Sequence, residues 1–154
     1  MNEFKISIAR TEDSELLVRH RIGMWKDIRP EFSENAKEIE ETTRKWIKTK
    51  LSEGKLVGFI AKTQEGTVAG SGCIWLREDA PRPFNVRLES PYFMSMFTEE
   101  DFRRTGVASM IVQCAIDWTR VHGYKTISLH ASDAGIPLYE RFGFKQTTEM
   151  RLML

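Results

Sequence analysis

With 154 residues, 41% of them hydrophobic and 29% charged, the chain has the length of one domain with a single core, and a second domain is not expected. Lysine and arginine number 23 against 22 acidic residues, a formal net charge of +1, which excludes a general attraction for nucleic acid or for an anionic membrane. The two cysteines have no ligand-spaced cysteine or histidine beside them, so a metal site is not expected; they read as buried reduced thiols of a cytoplasmic protein. Met1 to Lys5 lacks the apolar core of a signal peptide, and no run approaches membrane-spanning length.

Phe4, Ile6 and Ile8 alternate with Lys5 and Ser7, which predicts a short half-buried strand. A helix capped by Thr11 or Asp13 follows from Glu15 to about Ile28. Its apolar residues Leu16, Leu17, Val18, Ile22, Met24, Trp25 and Ile28 spread over more than one face, and Arg29-Pro30 stops it. A second helix spans Asn35 to Ser52, with Ile39, Thr43, Trp46, Ile47 and Leu51 on one stripe and Gly54 just past its end. Trp25 and Trp46 read first as core residues and second as walls of a substrate pocket.

Lys55 to Lys62 and Thr67 to Leu76 form an antiparallel pair through Thr63-Gln64-Glu65-Gly66. Gly70 and Gly72 inside the second strand mark a bulge or the close approach of another backbone. Glu78 to Pro91, with prolines at 81, 83 and 91, reads as a long irregular loop and a candidate substrate-facing lid.

The strand Tyr92 to Phe97 then runs into a glycine turn and a helix starting near Gly106. Val107, Met110, Ile111, Cys114, Ala115, Trp118 and Val121 repeat along that helix with a 3.6-residue period. Gly123 ends it, and Lys125 to His130 forms a further strand, so strand, helix and strand imply a parallel pair. A short helix from Ala134 to Phe142 is closed by Gly143 and Phe144, and the alternation of Thr148, Met150, Leu152 and Leu154 predicts a final strand over Thr147 to Leu154. The expected fold is α/β, one domain over residues 1–154, with a mixed central sheet flanked by helices.

The glycine turn is suited to an anion. Helix starts carry backbone N–H groups without intrahelical partners, at the positive end of the helix dipole. Gly106 removes a side chain where a ligand must come close, Ala108 keeps the next one small, and Arg103 and Arg104 add positive charge.

The pattern Arg-x-x-Gly-x-Ala at Arg103, Gly106 and Ala108 resembles the coenzyme A turn of the GCN5-related N-acetyltransferases. Ser132 to Phe144, with Leu138-Tyr139-Glu140 and Gly143-Phe144, resembles the family's later segment, and the element order matches across nearly the whole chain. The resemblance implies acetyl-CoA as cosubstrate, an amine as acceptor, and direct attack in a ternary complex. It also implies that the strands on either side of the long helix splay apart to admit the pantetheine arm. Met96, Phe97 and Thr98 would meet that arm through main-chain groups, and Arg103, Arg104, Thr105, Gly106, Val107, Ala108 and Ser109 would hold the pyrophosphate. Ser132 stands where the family often has Asn, Pro137 where Ala is common, and Arg141 lies where a phosphate is in reach.

Tyr139 occupies the position of the family's usual general acid. A phenol with a pKa near 10 suits the protonation of a strongly basic leaving group. Neither Ser132 nor the cysteines have the partners of an activated nucleophile. For the general base the equivalent family position is Ser90, with Glu89 adjacent; Glu89, Asp79, Glu31, His130 and water all remain candidates. A competing expectation is a non-catalytic acyl-CoA-binding sensor. The final strand is a possible edge for a homodimer.

Overall fold

The computed structural model describes residues 3–31 and 34–154. Met1 and Asn2, which head the segment read above for a leader, lie outside the described residues. Five strands, β1 (Phe4–Ile8), β2 (Leu56–Thr63), β3 (Val68–Glu78), β4 (Glu89–Thr98) and β5 (Ser128–Leu129), form one sheet whose spatial order follows the chain. The first three joints are antiparallel and the last, β4 to β5, is parallel. That parallel joint requires a crossover, supplied by helix α3 (Val107–Val121). Helices α1 (Ser14–Ile28) and α2 (Ala36–Ser52) precede β2, and α4 (Ile136–Arg141) follows β5.

Side-chain alternation divides the core into two layers. Phe59, Ala61, Ala69, Ile74 and Phe93 pack against Val107, Ile111, Val112 and Ala115 of α3. On the other face Leu56, Ile60 and Cys73 pack against Leu17, Val18 and Ile22 of α1 and Ile47 of α2. The two glycines of β3 sit where neighbours press hardest. A Cβ on Gly70 would lie 2.6 Å from the Phe97 carbonyl oxygen, and one on Gly72 would lie 2.7 Å from the Phe93 ring.

Opposite them β4 carries one extra residue. Ser71 pairs with Phe97 and Cys73 with Met94, so the register slips between them, and Ser95 adopts φ +60°. This β-bulge holds a non-glycine residue in the left-handed region, a strain of about 1–3 kcal/mol that surrounding contacts must offset. One such contact is the Arg21 Nη1 group of α1, which donates to Ser95 Oγ at 2.9 Å.

The end of the chain departs from the sequence reading. Residues 145–154 adopt no regular structure, and Met150, Leu152, Met153 and Leu154 are exposed. The alternation there finds no partner, because β5 is only two residues long and offers too little edge to continue the sheet. The strand expected over Lys125 to His130 is accordingly reduced to Ser128–Leu129. Val121, expected on the apolar stripe of α3, is 82% exposed at the end of the helix, and Tyr124 is buried instead. Glu78 and Glu89 to Pro91, read as loop, belong to β3 and β4. The remaining connection is pinned: Asn85 Nδ2 donates to Glu89 O, Ser90 Oγ donates to Asp79 Oδ2, and Arg87 Nη1 donates to His122 O beyond α3.

A buried histidine links α1 to the sheet. His20 is fully buried; its Nδ1 lies 2.7 Å from Ser71 Oγ on β3 and its Nε2 lies 2.9 Å from Glu99 Oε1, just past β4. An ionised carboxylate only accepts, so Nε2 carries the proton and Nδ1 accepts from the Ser71 hydroxyl. Arg19 Nη1 closes the group at 2.7 Å from the same Glu99 oxygen. Burial lowers the pKa of His20, against an opposing pull from Glu99. Burial tends to raise that of Glu99, but the bonds from His20 and Arg19 outweigh it and hold the carboxyl below its usual range.

Two expected outcomes follow. Because the folded-state pKa of His20 is depressed, the unfolded chain takes up its proton first as pH falls below about 6.5. Stability is therefore lost through the window just under that value and levels off below the folded pKa. A pH series of Tm should show this loss in the wild type and a flatter profile in His20→Gln; identical profiles would remove His20 as the cause. Gly70→Ala forces a methyl against backbone that cannot swing aside, which costs about 1–3 kcal/mol. At about 2 to 4 °C per kcal/mol, calorimetry should find Tm lowered by roughly 2 to 12 °C.

Candidate active site

The site grows out of the place where β4 leaves β5. The two strands pair only at Tyr92 with Ser128 and Phe93 with Leu129. From Met94 to Thr98, β4 continues without a strand on that side, so the sheet opens into a gap. Backbone groups along this stretch are available to a ligand.

At the far end of the gap the chain turns through a short 3-10 segment, Glu100–Phe102, into α3. Gly106 caps the helix with φ +92°, a left-handed conformation that glycine adopts without strain. A Cβ placed there would meet nothing within 4 Å, so the space above the turn is open. Met110 N–H to Gly106 O, 3.1 Å, is the first bond of the helical ladder. The N–H groups of Val107, Ala108 and Ser109 precede it and face the turn. The Val107 side chain is fully buried in the core, which leaves only its main chain for a ligand.

Not every residue of the turn points outward. Arg103 is committed to the protein: its Nε donates to Thr98 O at 3.3 Å and its Nη2 pairs with Asp27 Oδ2 of α1 at 2.9 Å. Thr105 Oγ1 donates to Phe102 O. Arg104, at φ +61° and exposed, has no ion-pair partner among the described residues. Met96 packs toward the α3 layer, whereas the Phe97 ring faces α1 with its centroid 4.9 Å from that of His20.

Tyr139, half-buried on α4, stands at the gap. Its ring meets Phe93 of β4 at 6.4 Å and Phe144 at 5.8 Å, both edge-on. Burial, reinforced by the field of Tyr92, pushes its phenol up to about 12. The Cβ position of Gly135 lies 3.1 Å from the Tyr139 ring, so the absence of a side chain there lets the ring settle. Ser132 Oγ accepts the Gly135 N–H at 3.2 Å and closes the turn before α4. Pro137 and Arg141, in the first and last turns of α4, are exposed. No hydrogen bond or ion pair among the described residues links Ser132, Pro137 or Arg141 to the glycine turn.

The candidates for general base separate clearly. Glu89 accepts from Lys55 Nζ and Tyr124 Oη, and these bonds hold its carboxyl below the usual range. Burial tends to raise the pKa of Asp79, but Ser90 and Arg82 outweigh it and keep the group ionised. Glu31 is exposed beside Arg29. His130, just past β5, has its Nδ1 2.6 Å from Tyr92 Oη and its Nε2 2.8 Å from Glu149 Oε2. The carboxylate fixes the proton on Nε2, which leaves Nδ1 to accept from Tyr92.

Tyr92 was not among the residues singled out in the sequence. It lies at the first of the two positions where β4 pairs with β5, opposite Trp75 of β3, on the sheet face covered by α1 and α2. A cavity of about 650 Å³ lies elsewhere, bounded by Glu15, Arg19, Lys26, Glu40, Arg44 and Phe97 among others, and neither Tyr92, His130 nor Tyr139 borders it. Among the described residues there is no group of acidic, cysteine and histidine side chains able to hold a metal ion, and no helix is long and apolar enough to cross a membrane.

Residues 22–144 match the Acetyltransferase (GNAT) family. No curated protein sequence matches the chain significantly. Among solved structures, the fold is similar to a GCN5-related N-acetyltransferase from Ralstonia eutropha JMP134, with TM-score 0.90, 22% identity and 99% of each chain covered. It is also similar to a predicted acetyltransferase from Clostridium acetobutylicum determined with acetyl-CoA, with TM-score 0.85, 24% identity, and 99% of this chain and 96% of that one covered. A more distant likeness is the aminoglycoside N-acetyltransferase AAC(6')-Iy in complex with CoA, with TM-score 0.70, 16% identity, and 100% and 95% coverage. With the family match spanning most of the sequence, the chain belongs to the acetyltransferase (GNAT) family.

Proposed function

We propose that the protein transfers an acetyl group from acetyl-CoA to a primary amine by direct attack in a ternary complex. The observation that carries this reading is the gap beside β4, which has the open glycine turn at one end and Tyr139 at its wall. The residues fit the cosubstrate: the space over Gly106 is free, and N–H groups of the first turn of α3 precede the helical ladder. Main-chain groups of Met96, Phe97 and Thr98 would align the pantetheine arm. Arg104, Thr105, Gly106, Val107, Ala108 and Ser109 would hold the pyrophosphate, while Arg103 fixes the turn through Asp27 and Thr98. Ser132, Pro137 and Arg141 would border the far side of the arm.

Bound acetyl-CoA supplies an activated acyl thioester. Tyr139, with its phenol pushed up to about 12, stays protonated throughout the neutral range and gives its Oη proton to the departing sulfur. Burial likewise pushes the Cys73 thiol up to about 12, which leaves it inert as an acyl carrier. Tyr92 takes the amine proton on Oη as its own proton passes to His130 Nδ1, with Glu149 stabilising the imidazolium. Both cysteines are unpaired, in keeping with a cytoplasmic enzyme.

The deciding experiment pairs binding with turnover. Acetyl-CoA at a hundred times its dissociation constant should stabilise the protein by about 2.7 kcal/mol, or roughly 5 to 11 °C in Tm. Tyr139→Phe should keep that shift and lose about 10² to 10⁴ in kcat, read as free thiol released across an amine panel. A kcat within a few-fold of wild type, with acetyl transfer the slow step, would remove Tyr139 as the acid. Thermal stabilisation without thiol release from any amine or peptide would favour an acyl-CoA sensor.

His130→Gln tests the proton route separately. Its kcat/KM should fall by about 10² at pH 7 and recover as pH approaches about 10, where the free amine needs no base. An equal loss at every pH would mean that His130 only packs.

A further inference from the structure

On the α1 and α2 side of the gap two arginines, Arg21 and Arg77, make no ion pair among the described residues, although the field of Arg77 reaches Asp79. Elsewhere the guanidinium groups of Arg19, Arg44, Arg82, Arg103 and Arg151 reach carboxylates at 2.7 to 3.0 Å. Arg21 does not: its Nη1 donates to Ser95 Oγ, its Cζ stands 5.6 Å from the centre of the Trp25 ring, and no carboxylate lies within ion-pair distance among the described residues. It is nonetheless largely withdrawn from water, and that burial lowers its pKa below the ordinary guanidinium range, with Cys73 and Tyr92 pulling the other way. A desolvated cation with one neutral acceptor is an expensive arrangement, stabilised once an anion sits against it.

The second arginine converges on the same place. Arg77 of β3 stands over the Tyr92 ring with its Cζ 4.6 Å from the centroid, and the positive fields of Arg77 and Arg21 both reach Tyr92, against a weaker negative one from Glu149. Tyr92 is the residue whose hydroxyl meets His130, and Trp75 packs edge-on against it at 6.3 Å. Ser95, to which Arg21 donates, lies just beyond the point where β4 and β5 part. Unmatched positive charge thus lies on the α1 and α2 side of the gap, whereas Tyr139 approaches from α4.

We infer that this face is the acceptor subsite and that the acceptor is an amine carrying a carboxylate, which Arg21 holds in the planar paired geometry of a guanidinium and a carboxylate while Arg77 adds charge from above Tyr92. The inference rests on the acetyl-transfer reading of the same gap. Trp25 and Trp75 supply apolar walls, so the subsite takes one compact planar anion rather than an extended polyanion. The near-neutral net charge of +1 leaves the selection of an anionic substrate to these two groups.

The test compares amino acids with their own carboxamides. Glycine, β-alanine, 4-aminobutyrate and phenylalanine are offered with acetyl-CoA beside the matched amides, and thiol release is followed. At least one acid should exceed its amide in kcat/KM by about ten- to a hundredfold, the scale of a hydrogen bond to a charged group. Arg21→Met, which keeps a stem against Trp25 but gives up the bond to Ser95 Oγ, should abolish the preference by raising KM for the acid far more than for the amide. Arg77→Met, at a half-buried strand position away from the Ser95 bulge, should weaken the same preference and provides the reading if Arg21→Met does not fold.

A readout without turnover uses the CoA-bound protein titrated with N-acetylphenylalanine and N-acetylphenylalaninamide, followed by tryptophan fluorescence; the acid should bind about tenfold or more tightly. Equal use of acids and amides, a loss in Arg21→Met that falls on kcat for both alike, or phosphoethanolamine outperforming every carboxylate would overturn the inference while leaving the acetyltransferase reading intact. Selective binding of the acetylated acid without thiol release from any amine would instead support the subsite and count against the transfer reading.

Discussion

The parting of β4 from β5 is the constraint on which the rest depends. A parallel joint between neighbouring strands demands a crossover, and here α3 supplies it, starting from the carboxyl end of β4. The same geometry puts a helix start, an opened sheet and the end of a strand within one short stretch of chain. Ligands of α/β sheets bind at such carboxyl ends, because backbone donors collect there without partners. Had β5 paired along the whole of β4, the sheet would be better hydrogen-bonded and would have no gap to offer.

Much of the polar chemistry around the gap serves to hold it open in one shape. The bulge at Ser95 turns β4 and is secured by Arg21 from α1. His20 clamps the same helix to Ser71 of β3 and to Glu99 at the exit of β4. Arg103 ties the glycine turn to Asp27, near the end of α1. Helix α1 is therefore braced at successive points along one side of β4, and a site framed by it is preorganised before any ligand arrives. The bonds of His20 and Arg21 are fully or partly withdrawn from water, where each is stronger and an unmatched member more costly, whereas the Arg103–Asp27 pair lies at the surface.

Local features of the sequence translated well. The stripe of α3, the glycine at its start, the hairpin of β2 and β3, and the place of Tyr139 before Gly143 all rest on interactions within a few residues. What escaped notice joins distant segments: His20 to Ser71 and Glu99, Arg21 to Ser95, Arg103 to Asp27. In the sequence His20 and Arg21 are polar members of an amphipathic helix and look like any others. The bulge at Ser95 leaves no glycine as a marker, since a serine occupies the left-handed position. The final strand failed for the opposite reason: its alternation is real, but alternation specifies a strand only where an edge exists to receive it.

The sheet order β1-β2-β3-β4-β5 repeats the order of the chain, and two of its four joints, β2 to β3 and β3 to β4, close without a helix between them, whereas β1 to β2 spans α1 and α2 and β4 to β5 spans α3. The latter is secured by two residue pairs alone. Everything beyond it, β5, α4 and the irregular terminus, hangs on that narrow seam, on the hydrogen bond between Tyr92 and His130, and on the packing of residues such as Leu129, Leu138, Tyr139, Phe142 and Phe144 against the α3 layer. Amide hydrogen exchange should accordingly find this last portion opening as a unit of its own, at lower free energy than the four-stranded body. On that ordering the residue assigned to proton donation belongs to the more readily unfastened part, and the turn assigned to phosphate to the more durable one.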